Sequence, residues 1–329
     1  MTKTAYPYGL ASYPPRPAGA RRVAVIDIGT NSTRLLVADV ANGFVTEVER
    51  RHRVTRLGRG VDYSQQLSAE AMEETCETVG EYVEVLKAFG AETESVIATS
   101  AVRDAENGSA FVAELRERFA LNAQVIDGDE EARLTYLGCV SERSGNESLL
   151  VIDIGGGSTE MVIGRGTEPS FHTSLQAGVV RHTERLLTSD PPGPAELEEL
   201  SGDIHKLLAE SLEGEDLKID AAVGVAGTPS SLAAIDLELD PYDPKAVEGH
   251  ILPLKTIQWW LSRLSSIPLS DRKLIVGLHP DRARAIVAGV VILIEIMRAF
   301  NLEEIECSEH DILYGGAIKA AASLSPIRP

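Results

Sequence analysis

VIDIGTNST at Val25–Thr33 and VIDIGGGST at Val151–Thr159 are nearly the same words written twice. Each joins an apolar, β-branched strand to an aspartate, a glycine-bearing turn and hydroxyl residues, and the two aspartates, Asp27 and Asp153, lie 126 positions apart. Strand formers yield to turn formers at Gly29 and Gly155 and resume in RLLVADV and EMVIG, so each copy reads as a β-hairpin with a polar tip. Neither turn opens a helix, which excludes a dinucleotide-binding fingerprint. A single turn of this kind is usually a capped bend; two in matching register point to duplication.

Outward from the hairpins, GFVTEVERRHRVTRL supplies a third strand after the first and SFHTSLQ a third after the second. Ser68 caps a helix whose Met72, Cys76, Val79, Val83 and Leu86 recur at helical spacing, with Gly90 as its stop. SVIATSAV reads as a strand, Asn107 to Phe119 as a helix, AQVID as a strand and Glu130 to Val140 as a helix. The order βββαβαβα predicts a mixed sheet with crossover helices, and the pattern restarts after a polar linker at Ser141 to Ser148. The expected fold class is α/β, with two duplicated domains whose hairpin tips face one interdomain cleft that closes over its ligand. Residues 1–20 read as a flexible lead, 21–140 as domain I joined by a C-terminal helix at 308–324, and 141–307 as domain II.

With 43% apolar residues, the 329-residue chain can bury two cores. Its formal charge of −19 argues against nucleic-acid or anionic-membrane partners, so a polyanionic ligand must find a local basic patch. The densest is RRHRVTRLGRG at Arg50–Gly60, with five arginines, His52 and no acid; His172, Arg181, His182 and Arg185 form a second candidate. Cys76, Cys139 and Cys307 are far apart, which suggests neither a disulfide framework nor a zinc site and fits a reducing cytoplasm. No signal-peptide-like run opens the chain. The longest apolar run, Ala285–Ile294, falls short of the roughly 18 residues a membrane span needs. It reads as a core helix in preference to a homodimer contact.

A loop that surrounds phosphate needs glycine for close backbone approach and hydroxyls or amides as donors. The first turn offers Gly29, Thr30, Asn31 and Ser32 with Arg34 just beyond; the second offers Gly155, Gly156, Gly157, Ser158 and Thr159. Asp27 and Asp153 cannot bind phosphate by charge, and a bound Mg²⁺ or a lytic water explains them better. Asp129, Glu130 and Glu131 cluster at a helix start, where carboxylates raise one another's pKa as a general base requires. The plainer reading of that trio is a solvated helix N-terminus favoured by the macrodipole.

At these residues the sequence resembles the acetate kinase, sugar kinase, Hsp70 and actin superfamily, with phosphates held between duplicated actin-like (ribonuclease H-like) domains. DIGTNSTRLLV, ATSAVRDAENG at Ala98–Gly108, GDEEARLTYLG at Gly128–Gly138, VIDIGGGSTE and GVAGTPSSLAAI at Gly224–Ile235 narrow it further. They follow the order seen in the exopolyphosphatase and guanosine pentaphosphate phosphohydrolase family, over about residues 22–320. The chain is similar to the short, two-domain members of that family, since nothing after Pro329 could form further helical domains.

The resemblance implies that Glu131 is the general base, that Arg103 contacts phosphate, and that Asp153 and Glu160 serve Mg²⁺ and water, beside Asp27, the metal candidate read from the first strand end. It implies a Mg²⁺-dependent hydrolase that releases terminal orthophosphate from inorganic polyphosphate, or one that converts guanosine pentaphosphate to the tetraphosphate. Two other classes stand against it, an ATP-dependent phosphotransferase and a non-catalytic polyphosphate or alarmone sensor; GDEEAR favours the hydrolase over the phosphotransferase. Gly227 and Thr228 match a region that contacts adenosine in the kinase relatives. One departure is visible. Where the family shows Leu-Arg-x-Gly, SEHDILYGGA at Ser308–Ala317 places Leu313 at the expected arginine, with His310 as the nearby substitute.

Overall fold

The computed structural model describes residues 15–215 and 217–324, so most of the lead expected at 1–20 lies outside the described residues. The first sheet holds β1 (Arg21–Ile28), β2 (Thr33–Ala41), β3 (Phe44–Arg53), β4 (Thr93–Ala98) and β5 (Gln124–Val125), in the order β3-β2-β1-β4-β5. The second holds β6 (Ser148–Ile154), β7 (Thr159–Arg165), β8 (Glu168–Leu175), β9 (Ala221–Val225), β10 (Ile251–Pro253) and β11 (Glu304–Cys307), in the order β10-β11-β9-β6-β7-β8. Each sheet opens with an antiparallel three-strand meander whose first strand then takes a parallel neighbour, β4 beside β1 and β9 beside β6. The duplication expected from the two hairpins is therefore a duplication of topology.

β1 and β6 are buried along nearly their whole length because helices cover both faces of each sheet, which is why they read as continuous apolar runs. In the first sheet, Ile26, Ile28, Leu35 and Val37 pack with Val79 and Val83 of the helix Ala69–Ala88. That helix is capped by the Ser68 side chain, which accepts from the Ala71 amide. On the other face, Val23, Val25 and Leu36 pack with Ile312, Leu313 and Ala317 of the C-terminal helix Ile312–Ser323. The apolar run near residue 290 forms the helix Ile286–Ala299, which is buried in the second core and so is not a dimer face. Among the described residues no helix is long and apolar enough to cross a membrane.

Two sequence expectations shift. SVIATSAV is strand only to Ala98; its register with β1 ends at Ile28↔Ala98, because β1 itself turns there, and Ser100–Asp104 coils into a short helix. Arg103 thus sits on a helical turn. AQVID contributes only the two residues of β5.

The helix Gly128–Val140 joins the two halves. Ala132, Tyr136 and Cys139 lie under the second sheet with Val151, Val162 and Val223, while Leu134 belongs to the core shared with the C-terminal helix. The two helices cross closely enough that a Cβ on Gly315 would collide with the carbonyl of Leu134, and one on Gly138 with the carbonyl of Asp311. Backbone cannot yield as a flexible side chain does. Gly315→Ala is expected to cost about 1–3 kcal/mol of stability, the usual range for overpacking, read as a lowered urea midpoint at unchanged m.

Candidate functional site

Both hairpins turn in the same way: the Gly29 amide donates to the Ser32 carbonyl and the Gly155 amide to the Ser158 carbonyl, each at 3.0 Å. Register sets Asp27 opposite Arg34 and Asp153 opposite Glu160, so equivalent positions carry a cation in one half and an acid in the other. The two tips touch. A Cβ on Gly156 would lie 2.7 Å from the Thr30 Cβ, and one on Gly157 would lie 2.6 Å from the Ser100 Oγ. The Thr30 and Ser100 hydroxyls share a 2.7 Å hydrogen bond. Part of the glycine content of the second turn therefore serves the contact between loops.

The turn carbonyls are held from behind. Thr30 O accepts from the Gly58 amide, Asn31 O from Thr55 and Arg56, Gly155 O from Val179, and Gly156 O from Val180 and Arg181. In a planar trans peptide the N–H points opposite to the C=O. The amides of Asn31, Ser32, Gly156 and Gly157 are consequently aimed away from these supports. The turns line a shared cleft of about 830 Å³ that also includes Asp27, Glu131, Asp153 and Arg282.

Acidic groups crowd the cleft floor. Glu131 accepts from Arg103 Nη1 at 3.2 Å, and the same nitrogen donates to the Ile126 carbonyl at 3.0 Å. Burial, then the charges of Glu160 and Asp153, raise Glu131 well above the usual carboxylate range against the opposing pull of Arg103. Burial and Glu160 push Asp153 up to about 8; its Oδ2 accepts from the Thr135 hydroxyl at 3.2 Å. Glu160 is raised by burial too, although the Ser174 hydroxyl donates to it at 2.8 Å. Burial raises Asp27 despite Arg34, and its Oδ1 is buried without a hydrogen-bond partner. Asp311 goes the other way: burial would raise it, but Arg34, Arg50 and the Leu313 amide together hold it low.

These shifts carry a stability signature. A carboxylate raised in the folded state binds its proton more tightly there than in the unfolded chain, so its contribution is complete below about pH 4 and disappears as pH rises through the folded value. For Asp153 that window runs from its ordinary 3.8 to about 8. The protein without metal is expected to lose several degrees of Tm between pH 5 and pH 8. Asp153→Asn should flatten that decline in a pH series of thermal melts; an unchanged slope would show that Asp153 does not hold its proton.

The Asp129–Glu131 trio does not act as a cluster. Asp129 is exposed and lies 3.2 Å from His172, and Glu130 is lowered by Arg133 and Lys319, so the pressure on Glu131 comes from burial and from the second hairpin. Arg34 reaches the cleft but spends its guanidinium on Asp27, at 2.7 and 2.9 Å, and on Asp311. Thr159 is fully buried with its hydroxyl on the Ala177 carbonyl. Gly29, Thr30, Asn31, Ser32, Gly155, Gly156 and Ser158 line the cleft.

The basic strip is largely paired: Arg50 with Glu309, Arg51 with Glu49, Arg53 with Glu81 and Arg56 with Asp281. The second basic group disperses as well. His182 and Arg185 both meet Asp203, and Arg181 binds Asp62, Asp104 and the Gly157 carbonyl. Leu313 is buried in the core and His310 stacks on the Tyr314 ring at 4.2 Å, so neither replaces the arginine absent from this segment.

Sequence reasoning missed Arg282. Its Nη1 donates to the Gly227 carbonyl and the Ser230 and Ser231 hydroxyls, each at 3.2 Å, and among the described residues no carboxylate forms an ion pair with it. Desolvation lowers its pKa. It stands in DRARA, where Arg284 looks equally suited, and nothing local separates the two.

Among the described residues no three His, Cys, Asp or Glu side chains form a ready metal cage. Mg²⁺ usually takes only one or two carboxylates, with water and substrate phosphates completing its shell. The partnerless Asp27 Oδ1 and the buried Asp153 carboxyl fit that requirement.

A family model described as the Ppx/GppA phosphatase family matches residues 36–316. The chain is 36% identical over 315 residues to exopolyphosphatase 2 of Mycobacterium tuberculosis, covering 91% of this chain and 98% of that protein. It is 31% identical over 313 residues to a bifunctional 3-dehydroquinate synthase/phosphatase of Fusobacterium nucleatum, covering 90% of this chain and 46% of that one. The crystal structure of the Aquifex aeolicus Ppx/GppA family member superposes with a TM-score of 0.80 at 30% identity, covering 93% of this chain and all of that one. With its repeated sheets, touching hairpin tips and buried acids, the chain belongs to the Ppx/GppA phosphatase family, hydrolases acting on phosphoanhydride bonds.

Proposed function

We infer that this protein is a Mg²⁺-dependent exopolyphosphatase, releasing terminal orthophosphate from inorganic polyphosphate by water attack with Glu131 as general base. The observation that carries this reading is the Glu131 carboxyl: buried, lining the cleft, raised in pKa by burial and by Glu160 and Asp153, and held by Arg103 at 3.2 Å. A base is most effective when its pKa is brought toward the working pH, and an ordinary exposed glutamate is too acidic. The two turns supply amides and hydroxyls to successive phosphoryl groups, and Arg282 supplies a cation further along the cleft. Asp153 and Asp27 would hold Mg²⁺, which when bound neutralises charge on the phosphoryl oxygens. The cytoplasmic location that goes with this reading rests on the absence of any cysteine pairing pattern.

A second reading has an observation of its own. Leu239, Tyr242, Leu274 and Val276 also line the cleft, with Leu274 80% and Val276 50% exposed. Inorganic polyphosphate has no apolar part to cover them, whereas a nucleobase does. Guanosine pentaphosphate is therefore the competing substrate. Phosphate release from both substrates, by wild type and Glu131→Gln side by side, tests the chemistry and ranks the substrates in one experiment.

A further inference from the structure

Asp104 and Arg181, which the hydrolytic roles above leave unused, connect Arg103 to the second glycine turn. Arg181, on the helix Val179–Leu186 of the second half, donates from Nε to the Gly157 carbonyl at 2.9 Å. Its Nη2 donates to Asp104 Oδ2 at 2.8 Å, and its Nη1 to Asp62; both aspartates belong to the first half. The other Asp104 oxygen lies 3.8 Å from Arg103 Nε, and Arg103 Nη1 in turn donates to Glu131. A continuous path thus runs from the second glycine turn to Glu131, crossing between the two halves at Arg181–Asp104.

We propose that Asp104 and Arg181 are positioning residues, which hold the Arg103 guanidinium against Glu131 and tie that alignment to the placement of the Gly157 turn. Geometry supports the assignment. Arg103 has the Ile126 carbonyl as its remaining anchor, and one neutral acceptor leaves a guanidinium free to swing about its long side chain. Asp104 supplies a second, coulombic hold at 3.8 Å, and as the acid shared by two arginines it offsets the repulsion between their like charges. Side-chain exposures of 17% for Arg181, 22% for Arg103 and 28% for Asp104 leave this path shielded more than a surface pair. Neither positioning residue need touch substrate; Asp104 acts through Arg103. The inference rests on the base role of Glu131 stated above.

Asp104→Asn tests it, since the amide keeps the shape and still accepts from Arg181 while withdrawing the charge. On polyphosphate the expected result is a roughly five- to tenfold lower kcat with KM within about twofold, less than the roughly 10²-fold that a full 1 Å misplacement can cost. Arg181→Lys, which cannot reach three acceptors at once, should lose kcat to a similar extent. In an Arg103→Ala background Asp104→Asn should cost nothing more, because the group it positions is gone. Thermal melts within a few degrees of wild type separate this from unfolding, and Asp104→Glu should recover part of the loss.

An equal loss in the Arg103→Ala background, a loss confined to KM, or kcat within twofold of wild type in both Asp104→Asn and Arg181→Lys would overturn the proposal. A wild type inert on polyphosphate and guanosine pentaphosphate alike would remove the reading beneath it, and the proposal with it. With an active wild type and an inactive Glu131→Gln, that reading stands and the Asp104 variants alone decide.

Discussion

Glu131→Gln is expected to lower kcat on polyphosphate about 10³-fold, within the range by which general bases accelerate proton transfer, while KM stays within about threefold. The replacement is nearly isosteric, and its amide carbonyl can still accept from Arg103, so what disappears is the ability to take a proton from water. Stability should move in the opposite direction. Glu131 is raised by burial and by two neighbouring acids, so its ionised form destabilises the fold. Removing it should raise Tm in the absence of metal, the usual relation between a strained active site and the scaffold around it. A large fall in activity with a rise in Tm would exclude misfolding as the cause. Activity on polyphosphate and on guanosine pentaphosphate should fall together, because a single base serves both. A variant retaining activity within tenfold of wild type would assign the proton to another acceptor.

The parts of the site that were legible in the sequence are those encoded twice and locally. Asp27 and Asp153 end apolar strands, a glycine turn follows each, and a three-strand meander can bury that pattern in only one register, since a one-residue slip would turn every apolar side chain to the wrong face. Arg34 shows the limit. Beside a glycine-hydroxyl turn it reads as a phosphate donor, but Asp311, 277 positions away, returns as the cap of the C-terminal helix and claims it with Asp27. The same holds for Arg181, a plain amphipathic-helix arginine until Asp62 and Asp104 arrive from the first half. Along Arg50–Gly60, Arg50, Arg51 and His52 line the cleft, but Arg50, Arg53 and Arg56 meet acids from other elements, at Glu309, Glu81 and Asp281. Local pattern determines which residues can reach a cleft. Long-range pairing determines which of them arrive there with charge to spare.

Arg282→Ala is the sharpest test of that distinction, with an expected rise of about 10²-fold in KM for long polyphosphate and little change in kcat. A guanidinium loses hydration when it is placed among a carbonyl and two hydroxyls, and neutral partners do not restore what a carboxylate would. The lowered pKa of Arg282 expresses that loss. An arriving phosphoryl group would supply the missing anion, so the interaction is fully expressed only in the complex, and truncation should leave Tm of the free protein unchanged or higher. Removing one phosphate-neutralising cation should also reduce the slope of log KM against log salt by about one, on the counterion-release argument. Arg53→Ala and Arg56→Ala supply the contrast. Their side chains are 44% and 46% exposed and already paired with Glu81 and Asp281, so KM should remain within about twofold, as for surface ion pairs generally. If Arg56→Ala were to raise KM more than Arg282→Ala, the polyphosphate would run along the strip that local arginine density suggests, and Arg282 would have no part in holding it.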